Sequence, residues 1–190
     1  MHNLQVDIPD LDTPEAVIEL MVLQGGASYF GEPVTVLEHC LQAALFAQRE
    51  SSEDTLVIAA LLHDIGHLLH HAGEDAAEFG VDTHHEELAG RILAAHLPRP
   101  VTEPIRLHVA AKRYLCFADP AYAQTLSQSS QLSLQLQGGP MSVKDAEAFL
   151  SGPFARQAVA LRLWDDEAKI PDLPAPPLED YIPQLKTLWR

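Results

Sequence analysis

Apolar positions along this chain recur with the period of helices, and no stretch keeps the two-residue alternation of a half-buried strand. "DTPEAVIELMVLQGG" opens with Thr13 as a cap and Pro14 at the first helical position. It stops at Gly25-Gly26, so it predicts a first helix. Further helices are expected over about 33–50, about 53–70, 83–97 ("THHEELAGRILAAHL") and 101–117. "DPAYAQTLSQSSQLSLQLQ" predicts one more, capped by Asp119 with Pro120 at its first position, and shorter helices follow near 142–150 and 153–166. The acidic, Gly-containing segment 73–82 reads as a loop, and the Pro-rich tail 170–183 as an extended arm before a last short helix. The expectation is all-α: one helical domain over residues 1–190, with its core at about 20–170 and an arm at 170–190.

One helix breaks the pattern. "AALLHDIGHLL", residues 59–69, sets an aspartate and two histidines in otherwise apolar surroundings. An isolated ionised Asp in an apolar core costs several kcal/mol unless something neutralises it. No Lys or Arg lies within a helical turn. Either the segment is exposed, or Asp64 faces a cation such as a metal.

Composition narrows the choice of partners. A length of 190 residues with 47% hydrophobic and 21% charged residues suits a soluble globular domain. The net charge of −15 argues against nucleic acid and against an anionic membrane surface. Cys40 and Cys116 form no CxxC pair, so neither a zinc ribbon nor a disulfide framework is expected. The start "MHNLQVDIPDLD" lacks the apolar stretch of a signal peptide, and no run approaches a membrane span, which points to a cytoplasmic protein.

There are ten histidines. His63 and His67 are four apart and so share a helix face, with Asp64 about 100° round from His63. His39 sits in "VLEHCLQAALFAQ", His108 in "IRLHVAAKRYL" with Lys112 one turn on, and Asp165 ends "VALRLWDD" with Arg162 one turn before it. Lys112 and Arg162 are read as the only strong cations one turn from such a group. Spacing alone does not separate His84 from His85. His2, His70, His71 and His96 read as exposed and silent. A single histidine on an apolar helix face is more often a core residue than a ligand. Several helices that each carry an imidazole or carboxylate in apolar surroundings share one explanation, a metal centre inside a bundle. With no thiolate in the set, iron, manganese or zinc fits better than copper(I).

The order His39…His63-Asp64…His85…His108…Asp165 resembles the HD-domain superfamily of helical metalloproteins. "YFGE…LEH…ALFAQ", "AALLHDIGH", "HVAAKRYL", "LQGGPM" and "WDDEAK" are together similar to the PhnZ/TmpB family of phosphonate-degrading mixed-valent di-iron oxygenases. The likeness spans residues 20–170, with a different loop at 70–83 and a doubled histidine at His84-His85, of which "HEELA" favours His85.

The resemblance implies an Fe(II)/Fe(III) pair. His39, His63, Asp64 and Asp165 would bind one iron, and the bridging Asp64, His85 and His108 the other. Tyr29 would cap the second iron until substrate displaces it, with the catalytic Glu32 nearby. His67, Lys112, Ser130, Gln137 and Arg162 would hold the phosphonate, with His67 and Lys112 also counted as catalytic. A dianion in so acidic a chain needs such local cations. The implied reaction is O2-dependent cleavage of the C–P bond of a 1-hydroxyalkylphosphonate, giving a carboxylate and phosphate. A 2-amino or 2-trimethylammonio group on the substrate would give glycine or glycine betaine. Glu32 and Asp82 would suit a cationic end, and Tyr29, Phe30 and Phe79 could offer aromatic faces. The rival enzyme reading is an HD-type metal-dependent phosphohydrolase acting on a nucleotide or phosphate ester. The rival without catalysis is a metal- or ligand-sensing protein.

Overall fold

The segment Asp54–Leu62 (α3) is apolar on every side, and a helix without a polar face is stable only when other helices surround it. Leu56 through Leu62 are all buried. The computed structural model describes residues 10–51, 53–69 and 79–190. Around α3 stand α1 (Pro14–Gln24), α2 (Val36–Glu50), α4 (His85–Leu93), α5 (Arg99–Ala118), α6 (Tyr122–Thr125), α7 (Gln128–Leu136), α8 (Val143–Leu150), α9 (Ala155–Glu167) and α10 (Ile182–Leu188). Helices α2, α5 and α9 pack directly against α3, while α4 lies on α5 and α10 reaches both α1 and α3. Apart from one antiparallel bridge between Ser28 and Thr35, the described residues hold no strand. The chain is an all-α bundle.

Local chemistry sets most helix ends where the sequence predicts them. Thr13 accepts from Ala16 N at 3.2 Å ahead of Pro14, and Thr35 with Glu38 forms a reciprocal capping box at the start of α2. The Pro-rich arm leads into a short last helix, and the core reaches beyond the expected 20–170 at both ends, taking in Leu11 and Val17. Leu178, Tyr181 and Leu185 bury themselves in the main core, and Gln42 fastens the arm's start by hydrogen bonds to Ile170 N and O.

Two predicted helices are interrupted. The helix expected over 53–70 stops at Leu62, and Ile65–Leu68 form a 3-10 turn after Asp64 (φ −101°, ψ 9°). His63 and His67 therefore do not stack on one α-helical face. The turn tightens because His67 N bonds back to Asp64 O at 2.9 Å. The helix expected from Asp119 onward is also divided. Asp119 accepts from Ala121 N, but Ser127 starts α7 afresh by accepting from Ser130 N. Ser and Asp side chains compete for backbone donors in this way and end one helix while starting the next.

His2, His70, His71 and most of the 73–82 loop lie outside the described residues. His96 is not a free surface group. Its ring stacks on Trp189 at 5.0 Å, and its Nε2 lies 3.3 Å from Asp12 Oδ1.

The 3-10 turn lies against the first turn of α4, which is possible because Gly66 has no side chain. A Cβ there would sit 2.1 Å from His85 O. Gly66→Ala must push α4 away from Asp64. Denaturant unfolding should report a loss of about 1–3 kcal/mol, typical of overpacking. Unchanged stability with unchanged metal binding would show that this approach is not needed.

Candidate metal centre

Four helices and the α3 break converge on Asp64, whose residue is 1% exposed. His39 comes from α2, His63 from the end of α3, His85 from the first position of α4, His108 from α5 and Asp165 from α9. All six side chains are buried. Asp64 Oδ2 lies 3.5 Å from both His39 Nε2 and His63 Nε2. Its other oxygen, Oδ1, lies 3.4 Å from His85 Nε2 and 3.7 Å from His108 Nε2. Asp165 Oδ1 adds to the first pair, 3.4 Å from His39 and 3.9 Å from His63. The carboxylate thus stands between two nests of nitrogen and oxygen donors, and His85, rather than the exposed His84, faces it.

The second nitrogens tell what the first can do. Nδ1 of His39, His63 and His108 each meets a main-chain carbonyl at 2.8 Å, of Ala168, Ala60 and Ile105 respectively. A carbonyl only accepts, so Nδ1 carries the hydrogen and Nε2 is the ring atom turned toward Asp64. His39 Nε2 and His63 Nε2 then face each other at 3.1 Å. His85 Nε2 and His108 Nε2 do the same at 3.1 Å. Facing nitrogens this close share either a proton or a metal ion, and imidazole with carboxylate is a fitting donor set for iron, manganese or zinc. The side chains able to share one ion fall into two groups: His39, His63 and Asp165, and Asp64, His67 and His85. His67 thus joins the second nest, with its ring stacked on His85 at 3.8 Å.

Protonation supports the same chemistry. Burial pushes the Asp64 carboxyl up, but His63, His39, His67 and His85 outweigh it and hold it well below the usual range. Burial also pushes Asp165 up, and Arg162 and Lys169 overcome it. Burial lowers His108 to about 4 and, with help from His67, takes His85 well down. His39 differs: burial pushes it down, but Asp165 and Asp64 outweigh burial and raise it, so a metal there would have to displace a proton.

Beside the nests opens a cavity of about 580 Å³ that reaches Asp64, His67, His85, His108 and Asp165 at one end. Its wall includes Tyr29, Glu32, Lys112, Ser130, Gln137 and Arg162, so the structure brings every expected substrate group to one space. Lys112 Nζ donates to Ser133 Oγ at 2.8 Å, and burial together with Arg162 lowers its pKa to about 7. Arg162 Nη1 donates to Asp165 Oδ2 at 2.7 Å, while Nη2 reaches Ser130 Oγ at 3.4 Å. Gln137 Oε1 is buried without a hydrogen-bond partner among the described residues. Glu32 accepts from Ser129 Oγ at 3.1 Å and stays apart from the histidines.

Tyr29 departs from the resemblance. Its hydroxyl donates to Asp64 Oδ2 at 2.7 Å, on the His39/His63 side rather than the His85/His108 side. The ring lies flat on His39 at 3.9 Å, which carries the hydroxyl there. The turn that presents it is tight, with Phe30 at φ 48° and Gly31 at φ 76°. Phe79 departs as well. It is exposed and does not line the cavity, whereas Asp82 does.

Five side chains receive no role from the sequence. Lys169 sits four residues after Asp165 and donates to Asp165 O at 2.7 Å, so Lys112 and Arg162 are not the only cations one turn from a ligand. Asp166, four after Arg162, grips its guanidinium together with Tyr122. Both spacings are ordinary helical pairs that the sequence displays. Ser133 and Tyr122 give no signal, whereas Glu86 is read in "HEELA" only as support for His85.

Comparison with known proteins agrees with this geometry. The HD domain family model matches residues 36–133. The chain is 38% identical over 165 residues to the (1-hydroxy-2-(trimethylamino)ethyl)phosphonate dioxygenase (glycine-betaine-forming) of Leisingera caerulea, covering 87% of this chain and 84% of that protein. It is 43% identical over 163 residues to the hydroxymethylphosphonate dioxygenase of Gimesia maris, covering 85% and 81%. With half of its residues inside the HD-domain match and most of its length aligned to these two enzymes, the chain belongs to the HD-domain family of phosphonate dioxygenases.

Proposed function

We propose that this chain is an O2-dependent oxygenase that cleaves the carbon–phosphorus bond of a 1-hydroxyalkylphosphonate, releasing a carboxylate and inorganic phosphate. The observation that carries the reading is a single cavity with Asp64 and its imidazoles at one end and buried Lys112 and Arg162 in its wall. The reaction balances without a further reductant. A 1-hydroxyalkylphosphonic acid plus O2 has the atoms of a carboxylic acid plus phosphoric acid.

His39, His63, Asp64 and Asp165 would hold one iron of an Fe(II)/Fe(III) pair, and Asp64, His85 and His108 the other. When bound, the pair supplies the one-electron chemistry with O2 that zinc cannot provide. The chain's own residues do the rest. Lys112, Arg162, Ser130 and Gln137 receive the phosphonate oxygens by charge-assisted and neutral hydrogen bonds, and His67 closes the same space. Arg162 spans the two jobs, because the guanidinium that meets the anion also donates to Asp165. With the phosphonate anchored there, C1 and its hydroxyl point toward Asp64. Tyr29 keeps its hydroxyl proton on the line to Asp64 Oδ2, since burial and then Asp64 raise its pKa well above the usual value. At the outer wall, Glu32 and Asp82 suit a 2-amino or 2-trimethylammonio group.

The direct experiment supplies 1-hydroxyphosphonates with hydroxymethyl, 2-aminoethyl and 2-trimethylammonioethyl carbon groups to the iron-loaded protein. Phosphate should appear under air, together with the matching carboxylate, and stop under nitrogen. Phosphate release from phosphate esters under nitrogen would instead identify a phosphohydrolase. Asp64→Ala should leave less than about one iron per chain by elemental analysis and abolish turnover. Full occupancy by two irons would remove Asp64 from the bridge.

The anion pocket has its own signature. Losing a charge-assisted hydrogen bond costs about 1.5–3 kcal/mol, so Lys112→Ala should raise KM roughly tenfold or more. Because burial and then Arg162 push the Lys112 ammonium down to about 7, its charge is present below that pH and lost above it. A falling limb of kcat/KM should therefore set in as pH rises through about 7, and Lys112→Arg, always protonated, should flatten it. A limb that survives in Lys112→Arg belongs to another group.

A further inference from the structure

Among the described residues, His39, His63 and His108 take their orientation from main-chain carbonyls, and His85 does not. His63 and His108 bond the carbonyl three residues earlier in their own helical turn, and His39 bonds Ala168 O beyond α9. His85 opens α4 behind His84, which is left-handed at φ 48°, so no earlier turn lies beneath its ring. The group that does face His85 Nδ1 is Glu86 Oε2, at 3.5 Å. Glu86 is 7% exposed, and Oε2 has no hydrogen-bond partner among the described residues. Burying an unpartnered carboxyl oxygen is costly, and a helix start gives no reason of its own to bury it there.

From this arrangement we infer that Glu86 is the positioning residue of the second metal nest, taking the Nδ1 hydrogen of His85 and aiming Nε2 at an ion beside Asp64 Oδ1. The proposal rests on the two-metal reading given above. A separation of 3.5 Å is long for a hydrogen bond, and it shortens when a bound ion draws the imidazole into line. The second nest thereby differs from the first. Its partner oxygen is on a side chain that can be exchanged without touching the backbone, whereas His39 and His63 are held by fixed carbonyls.

The test uses the full-length chain stripped of metal and titrated with Mn(II), following binding by calorimetry and by the paired-ion signal in electron paramagnetic resonance. The parent should take up two ions. Glu86→Ala should weaken one of them by about 10–100-fold, the usual consequence of losing such a partner, and leave the other unchanged. Glu86→Gln, which keeps an acceptor oxygen, should recover most of the loss. The metal-free Glu86→Ala chain should unfold at the parent's temperature or higher, because the orphaned carboxyl is gone. Parent-like binding of both ions in Glu86→Ala would overturn the proposal, as would equal weakening of both ions with a lowered unfolding temperature. Glu86→Gln as weak as Glu86→Ala would also contradict an acceptor role. A parent that binds a single ion would fail earlier, by removing the second nest itself, and so marks failure of the two-metal reading.

Discussion

The structure turns on one buried carboxylate. Asp64 lies among Leu61, Leu62 and Ile65, where an unpaired charge is not tolerated. Five imidazoles bring their ε-nitrogens to 3.4–3.9 Å from its two oxygens, His39 and His63 at one and His67, His85 and His108 at the other. This demand explains local features that otherwise look like defects. Helix α3 stops at Leu62 so that His63 and Asp64 can face different donors. Gly66 lets the following turn approach His85 O, and His84 adopts a left-handed backbone so that α4 can begin with a ligand-bearing position.

Charge is organised on two scales. The chain as a whole is strongly acidic, which would keep a dianion away, yet the cavity beside Asp64 collects Lys112 and Arg162. Neither cation is loose. Asp165 and Asp166 hold the guanidinium, and Ser133 accepts from the lysine. Cations fixed in this way act as a receptor whose geometry exists before an anion arrives, and such preorganisation gives buried charges their effect. Because Asp165 meets both Arg162 and His39, the proposed anion pocket and the proposed metal nest are physically joined through one carboxylate.

Much of this was legible in the sequence, for definite reasons. The all-apolar run ending in His63-Asp64 announced a buried charge, and the Thr13 and Thr35 starts followed ordinary capping chemistry. Histidines spaced across several amphipathic helices pointed to one centre, and their motif order pointed to the family. The interruptions were not legible. A period of 3.6 runs through 53–70 unbroken, so the tight turn at Ile65–Leu68 is visible only once His85 packs against Gly66. The side of Asp64 that receives Tyr29 depends on a ring stacked on His39, a tertiary contact between residues ten apart. Lys169 and Asp166 carried a readable helical spacing. Glu86 was visible in "HEELA" as support for His85, but its burial against the ring was not.

The central claim is that Asp64 stands between two metal ions, and the most direct test is anomalous X-ray scattering at the iron edge from crystals of the iron-loaded protein. The account predicts two anomalous peaks, one beside Asp64 Oδ2 among His39, His63 and Asp165, the other beside Oδ1 with His85 and His108. A single peak, or peaks that leave either Asp64 oxygen without a metal, would contradict it.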